Sequence, residues 1–174
     1  MKIFLIGMPG SGKSVAARKI SKLKKISFFD TDKLIEERFQ MSVSDIFKEF
    51  GEKKFREFER TVLKELIFTE ESFIVATGGG LPCFNENMNK MDKAGITVYL
   101  KASIETLVQR LRLSDNRPLL YGKNDEELFM YLQETLKHRE TFYASAKYMI
   151  DADKDIKEII KDIKEIIMSE SFNS

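Results

Sequence analysis

Ile3-Phe4-Leu5-Ile6 is an unbroken apolar run that ends in Gly7-Met8-Pro9-Gly10-Ser11-Gly12-Lys13-Ser14. This junction constrains the fold more than any other feature of the chain. A short apolar run closed by glycine suits a strand buried on both faces. The segment behind it satisfies the pattern Gly, four residues, Gly-Lys-Ser in full, and Ala16, Ile20 and Leu23 follow at helical spacing. A buried strand, a glycine-rich turn and a helix start are the parts of a phosphate cradle, or P-loop. Glycines let successive backbone N–H groups turn inward on phosphate oxygens. The helix start adds the positive end of its dipole. Lys13 can reach the β- and γ-phosphates of a nucleotide, and the Ser14 hydroxyl can ligate Mg2+. A glycine-rich turn with no ligand is the bland alternative, and four specified positions in the right setting weigh against it. The stretch does not match Gly-x-Gly-x-x-Gly, which disfavours a dinucleotide site.

Apolar runs at Ile26–Phe29, Phe73–Ala76, Ile96–Leu100 and Tyr148–Ile150 read as further strands, each separated from the next by helical spacing. Ser42 with Asp45 resembles a capping box for a helix carrying Val43, Ile46, Phe47 and Phe50, and Gly51 is expected to end it. A longer helix follows with Phe55, Phe58, Val62, Leu63 and Leu66. Ser114 to Asn124 is polar, with Pro118 and Gly122, and reads as a loop long enough to be a lid. Asp125 to Tyr143 reads as a helix. The near-repeat of Asp155–Ile160 in Asp162–Ile167 reads as one amphipathic helix, and residues 169–174 as a flexible tail. Strands alternating with helices imply a single α/β domain over residues 1–174, with a parallel sheet flanked by helices and no linker.

The overall charge of +1 gives no general pull toward nucleic acid or an anionic membrane. A single cysteine, Cys83, excludes an internal disulfide framework and suits a reducing compartment; no metal-ligand spacing surrounds it, so it reads as a structural bystander. No run is long enough for a secretory or membrane-spanning segment. The expected location is the cytoplasm.

The P-loop alone does not name a reaction, and other residues narrow it. Asp30 and Asp32 fall where the second strand ends, and side chains two apart on an extended segment point the same way. Asp30 can then hold a magnesium-bound water and Asp32 can accept a hydrogen bond from an attacking hydroxyl. A plain helix N-cap explains the same residues equally well. Glu59 interrupts the apolar stripe of Phe55, Phe58 and Val62 and lies three residues after Arg56. A carboxylate in that position needs a partner; Glu59 is expected to orient Arg56, whose fork can grip a substrate carboxylate. A surface ion pair is the alternative. Gly78-Gly79-Gly80 suits a close approach of backbone to a ligand, or else a loose turn. Arg117, in the polar loop, can neutralise charge on a transferring phosphoryl group or simply be solvated. Exposure is the default for Arg139 and for His138, the only histidine, which has no triad partner.

Taken together, these motifs resemble the shikimate kinase family, from Ile3 to about Asp153. The carriers are the P-loop at Gly7–Ser14, Asp30-Thr31-Asp32 after the second strand, and Phe55-Arg56-Glu57-Phe58-Glu59. Gly78–Gly80, Arg117-Pro118-Leu119-Leu120 and an Arg-x-x-x-Tyr at Arg139–Tyr143 complete the set. The resemblance implies a single-domain P-loop kinase with a five-stranded parallel sheet, substrate-binding helices at about 33–60 and a mobile lid at about 112–124. It implies transfer of phosphate from ATP, with Mg2+, to the 3-hydroxyl of shikimate, on the route to chorismate and aromatic amino acids. Lys13, Asp32 and Arg117 would be catalytic, with Asp32 the base. Gly10, Ser11, Gly12, Lys13, Ser14, Val15, Arg110 and Arg117 would hold ATP. Arg56 and Arg139 would clasp the shikimate carboxylate, with Asp32, Gly78, Gly79 and Gly80 around the same pocket. Ser14 and, through water, Asp30 would form the magnesium side. Arg110 is preferred over Arg112 as the arginine packed on adenine, and Lys154 lies near the same side. A monomer is expected. Thr141 stands where the family usually has proline, which predicts a looser helix end and a slight displacement of Arg139. The rivals are a gluconate-type or nucleoside monophosphate kinase, and a nucleotide-binding protein without catalysis.

Overall fold

The N-terminal apolar run occupies the middle of the sheet. In the computed structural model, which describes residues 1–113 and 124–172, β1 (Lys2–Ile6) lies between β3 (Phe73–Ala76) and β4 (Ile96–Lys101). With β2 (Ser27–Asp30) and β5 (Tyr148–Asp151) at the edges, the order is β2-β3-β1-β4-β5 and every pair is parallel. Ile3, Phe4, Leu5 and Ile6 are fully buried, as a central strand covered on both faces requires. Phe4 and Phe73 meet edge to face across neighbouring strands, their centroids 5.6 Å apart. The chain leaves β1 toward β2 and β3 on one side and later passes to β4 and β5 on the other. The carboxyl end of β1 is therefore a topological switch point, the place where a parallel sheet opens a crevice for ligands.

Among the described residues the helices are α1 (Lys13–Lys24), α2 (Thr31–Phe39), α3 (Val43–Phe68), α4 (Asn87–Ala94), α5 (Ile104–Arg112), α6 (Asp125–Tyr143) and α7 (Ile156–Phe172). A 3-10 turn covers Leu81–Cys83. The helix expected to end at Gly51 and the one after it run together as α3, but Gly51 takes φ 75° and ψ 168° and kinks it. Its start is held as the sequence suggests: Ser42 Oγ accepts from the Asp45 N–H, and the Asp45 carboxylate accepts from the Ser42 hydroxyl. Residues 169–172, expected as a tail, are the last turn of α7. Helix α4 was not anticipated; it buries Met88 and Met91 beside β4. No helix among the described residues is long and apolar enough to cross a membrane.

Candidate active site

The turn after β1 has the conformation of a phosphate cradle. Gly10 and Gly12 take φ of 88° and 93°, which an L side chain adopts only with strain, and Gly12 caps α1. Lys13 is buried, and its Nζ donates to the carbonyls of Gly7 at 2.9 Å and Met8 at 2.8 Å, so the lysine braces the loop it belongs to. The Ser14 hydroxyl donates to Asp30 Oδ2 at 2.7 Å. A 340 Å³ cavity opens beside the loop, lined among others by Gly10, Gly12, Lys13, Ser14, Val15 and Arg110. Arg110 lines the cavity and donates to the Lys154 carbonyl at 3.4 Å, whereas Arg112 pairs with Asp125 at 2.5 Å. Lys154 itself pairs with Asp162.

Asp30, Thr31 and Asp32 each do something different. Asp30 ends β2 and caps α2, its Oδ1 accepting from the N–H groups of Asp32 at 3.2 Å and Lys33 at 3.4 Å while its Oδ2 accepts from Ser14. The cap of α2 and the partner of Ser14 are thus the same carboxylate. The expectation that Asp30 and Asp32 point alike from an extended segment fails, because α2 begins at Thr31 and places Asp32 in its first turn. The helical turn instead carries Asp32 to the triglycine segment, where a Cβ on Gly78 would run into Asp32 Oδ1. Buried Thr31 accepts from the Gly78 N–H at 2.7 Å and fixes that segment to the start of α2.

None of the three glycines has a positive φ; what they lack is room. The Cβ position of Gly78 is taken by Asp32 and lies 3.2 Å from Glu59 Oε1. That of Gly79 lies 2.9 Å from an Arg139 terminal nitrogen and 3.1 Å from Pro9 of the P-loop. That of Gly80 is taken by the Arg56 guanidinium. The turn therefore gathers Asp32, Arg139 and Arg56 along one strip of backbone that touches the P-loop. Tyr143 secures it from below: its hydroxyl donates to the Gly79 carbonyl at 2.5 Å and accepts from Arg139. Burial pushes the Tyr143 phenol far above its usual range, so it remains a donor.

Arg56 is held on all sides. Its terminal nitrogens donate to Glu59 at 2.7 Å and Glu52 at 2.9 Å. Phe84 covers the guanidinium with its ring centroid 4.2 Å away, and Phe55 and Phe47 stand at 5.5 and 5.7 Å. Glu59, only 1% exposed, orients Arg56 as the sequence suggested. Its burial raises the carboxyl to about 7 against the pull of Arg56. Cys83 sits near the same arginines, and burial lifts its thiol to about 11, which suits an inert side chain.

Arg139 comes from α6, which runs unbroken through Thr141 to Tyr143; the N–H that proline would lack is available to the helix. His138 points outward and meets Glu134 at 2.9 Å. Arg117, with the Arg-Pro-Leu-Leu segment and most of the expected lid (114–123), lies outside the described residues; Arg112 is the last residue of α5 and Asn124 caps α6. Three contributors were not singled out from the sequence: Thr31, Glu52 and Phe84.

A family model described as shikimate kinase matches residues 9–168, and the shikimate kinase of Parabacteroides distasonis is 43% identical over 96% of this chain and 97% of its own length. The chain belongs to the shikimate kinase family. Shikimate kinases are ATP-dependent phosphotransferases that act on a hydroxyl group, which sets aside the gluconate-type and non-catalytic alternatives. The crystal structure of shikimate kinase from Bacteroides thetaiotaomicron superposes with a TM-score of 0.92 at 37% identity, covering 97% of this chain and 98% of that one. A shikimate kinase from Acinetobacter baumannii, solved in complex with shikimate, gives a TM-score of 0.86 at 33% identity, covering 97% and 93%.

Proposed function

We propose that this chain transfers the γ-phosphoryl group of ATP to the 3-hydroxyl of shikimate where the P-loop meets the triglycine turn. The product, 3-phosphoshikimate, leads toward chorismate and the aromatic amino acids. One observation carries the reading: Gly78, Gly79 and Gly80 bring an aspartate and two arginines from three different helices against one strip of backbone. Two guanidinium groups suit a carboxylate, and an aspartate beside them suits a hydroxyl on the same small molecule.

Residues of the cradle, Gly10 to Val15, hold the triphosphate, and Arg110 flanks the adenine. Lys13 neutralises charge on the phosphoryl oxygens. Arg56 and Arg139 fix the acceptor carboxylate, so the reacting hydroxyl is presented in line. Asp32 accepts that hydroxyl's hydrogen bond and takes its proton as the new P–O bond forms and the bond to the leaving ADP oxygen breaks. Arg117 is assigned to the phosphates on its motif alone. Ser14 and Asp30 present a hydroxyl and a carboxylate oxygen 2.7 Å apart, hard donors of the kind Mg2+ accepts. Ser14 would ligate that ion directly and Asp30 through a water. Bound there, it supplies charge neutralisation at the phosphate oxygens.

The test is ADP release with shikimate, quinate, gluconate and nucleoside monophosphates offered separately. Turnover with shikimate alone is expected. Faster turnover with gluconate or a nucleotide, and none with shikimate, would remove the acceptor assignment.

A further inference from the structure

Arg56 already carries two carboxylates, and this bears on how a third can bind. Its Nε is buried and has no hydrogen-bond partner, so that edge of the guanidinium is closed. One face lies under the Phe84 ring, and the backbone of Gly80 sits so close that a Cβ there would overlap the guanidinium. What remains is the in-plane edge formed by the two terminal nitrogens. Glu59 holds one nitrogen and Glu52 the other. A bidentate carboxylate uses this same edge.

The two glutamates differ in what it takes to move them. Glu59 is 1% exposed and sits in the apolar stripe of α3, so withdrawing it from Arg56 would strand a buried charge. Glu52 is 60% exposed, lies one turn before Arg56 just past the Gly51 kink, and loses little by swinging into water. Three carboxylates around one guanidinium repel one another, and only Glu52 can leave at small cost.

We propose that Glu52 is a built-in competitor of the acceptor carboxylate. It pairs with the exposed terminal nitrogen of Arg56, and acceptor binding displaces it into solvent. This rests on the reading that Arg56 receives the acceptor carboxylate. Glu52 thus sets the acceptor KM without taking part in phosphoryl transfer. Its charge opposes an anionic acceptor at that fork and leaves a neutral one unaffected.

The experiment compares Glu52→Gln with the parent protein in steady-state kinetics for shikimate and for its neutral methyl ester, with Arg56→Ala as reference. Relieving an exposed ion pair is expected to lower the shikimate KM about two- to fivefold, with kcat and the ATP KM altered by less than about twofold. The methyl ester should gain nothing from the change. Arg56→Ala should raise the shikimate KM by about thirtyfold or more. An unchanged or raised shikimate KM in Glu52→Gln, with Arg56→Ala still damaging, overturns the competitor role alone. An equal gain for acid and ester overturns it as well. If Arg56→Ala leaves shikimate unaffected, the Arg56 assignment itself falls, and the Glu52 role with it.

Discussion

The turn after β1 and the turn after β3 look alike in sequence, each dense in glycine at the carboxyl end of a buried strand. They are glycine-rich for different physical reasons. In the first, Gly7, Gly10 and Gly12 take φ of 141°, 88° and 93°, and a Cβ on Gly12 would meet nothing within 4 Å. Backbone shape is what all three supply there, although Gly7 is also short of room, its Cβ position lying 2.7 Å from the Leu100 carbonyl oxygen. In the second, no glycine has a positive φ, and side chains from α2, α3 and α6 fill the Cβ positions. Absence of volume is what the residue supplies. The first turn moulds backbone to a ligand; the second lets side chains from elsewhere converge on backbone. Substitutions should therefore separate the two regions by which substrate they affect.

The sharpest separation is expected from Asp32→Asn, which belongs to the second turn. It should retain ATP affinity and lose roughly 10²- to 10⁴-fold in kcat; near-normal turnover would remove Asp32 from the chemistry. Arg139→Ala and Gly80→Ala come next. The first deletes a carboxylate partner and the second drives a methyl into the Arg56 guanidinium. Each should weaken shikimate by about 2–5 kcal/mol while the ATP Kd stays within about twofold. Equal losses for both ligands in a titration would erase the distinction between the turns.

Glu59 gives a pH-dependent handle on the second turn. Its carboxyl is raised from 4.5 to about 7 by burial, so the folded protein holds that proton more tightly than the unfolded chain. Folding then takes up a proton across that interval, and this contribution to stability falls as pH rises from about 4.5 to about 7, then levels off. The total is on the order of 3 kcal/mol. Urea unfolding of Glu59→Gln across the same range should show a flatter pH dependence than the parent, and an unaltered slope would place the titration elsewhere. The smallest effect is expected from Gly12→Ala. With no protein atom near the Cβ, only backbone strain opposes it in the ligand-free protein, and thermal unfolding should report a loss of about 1–2 kcal/mol, with ATP affinity weakened and shikimate affinity untouched. A loss of shikimate affinity would mean the turns are not separable.

The strands, their parallel arrangement and the P-loop were legible because each is written in contiguous residues: an apolar run, a glycine pattern, a helical stripe. Glu59 was legible too, as a carboxylate breaking an apolar face. Asp32 was misread in direction, since the side-chain geometry of an extended segment was carried one residue too far, past the cap at Asp30. Thr31 and Tyr143 do their work through single hydrogen bonds to Gly78 and Gly79, partners 47 and 64 residues away, and neither residue type announces such a bond. Helix α4 escaped notice because eight residues rich in Asn and Lys carry only Met88, Met91 and Ala94 as an apolar signal. The clamp on Arg56 combines Glu52, one turn earlier, with Phe84 from a distant turn, and only the fold sets them side by side.

Asp30 touches Ser14 of the cradle, Thr31 bonds Gly78 of the second turn, and Asp32 reaches the same glycine, on the side proposed to take the acceptor. The proposed donor and acceptor sides are thus joined by three successive residues, whose outer Cα atoms lie at most about 7.6 Å apart. The gap the phosphoryl group must cross is gauged by covalent bond lengths in a tripeptide. A linkage this short ties the spacing of the two sides to the backbone of one tripeptide and not to the packing of distant helices.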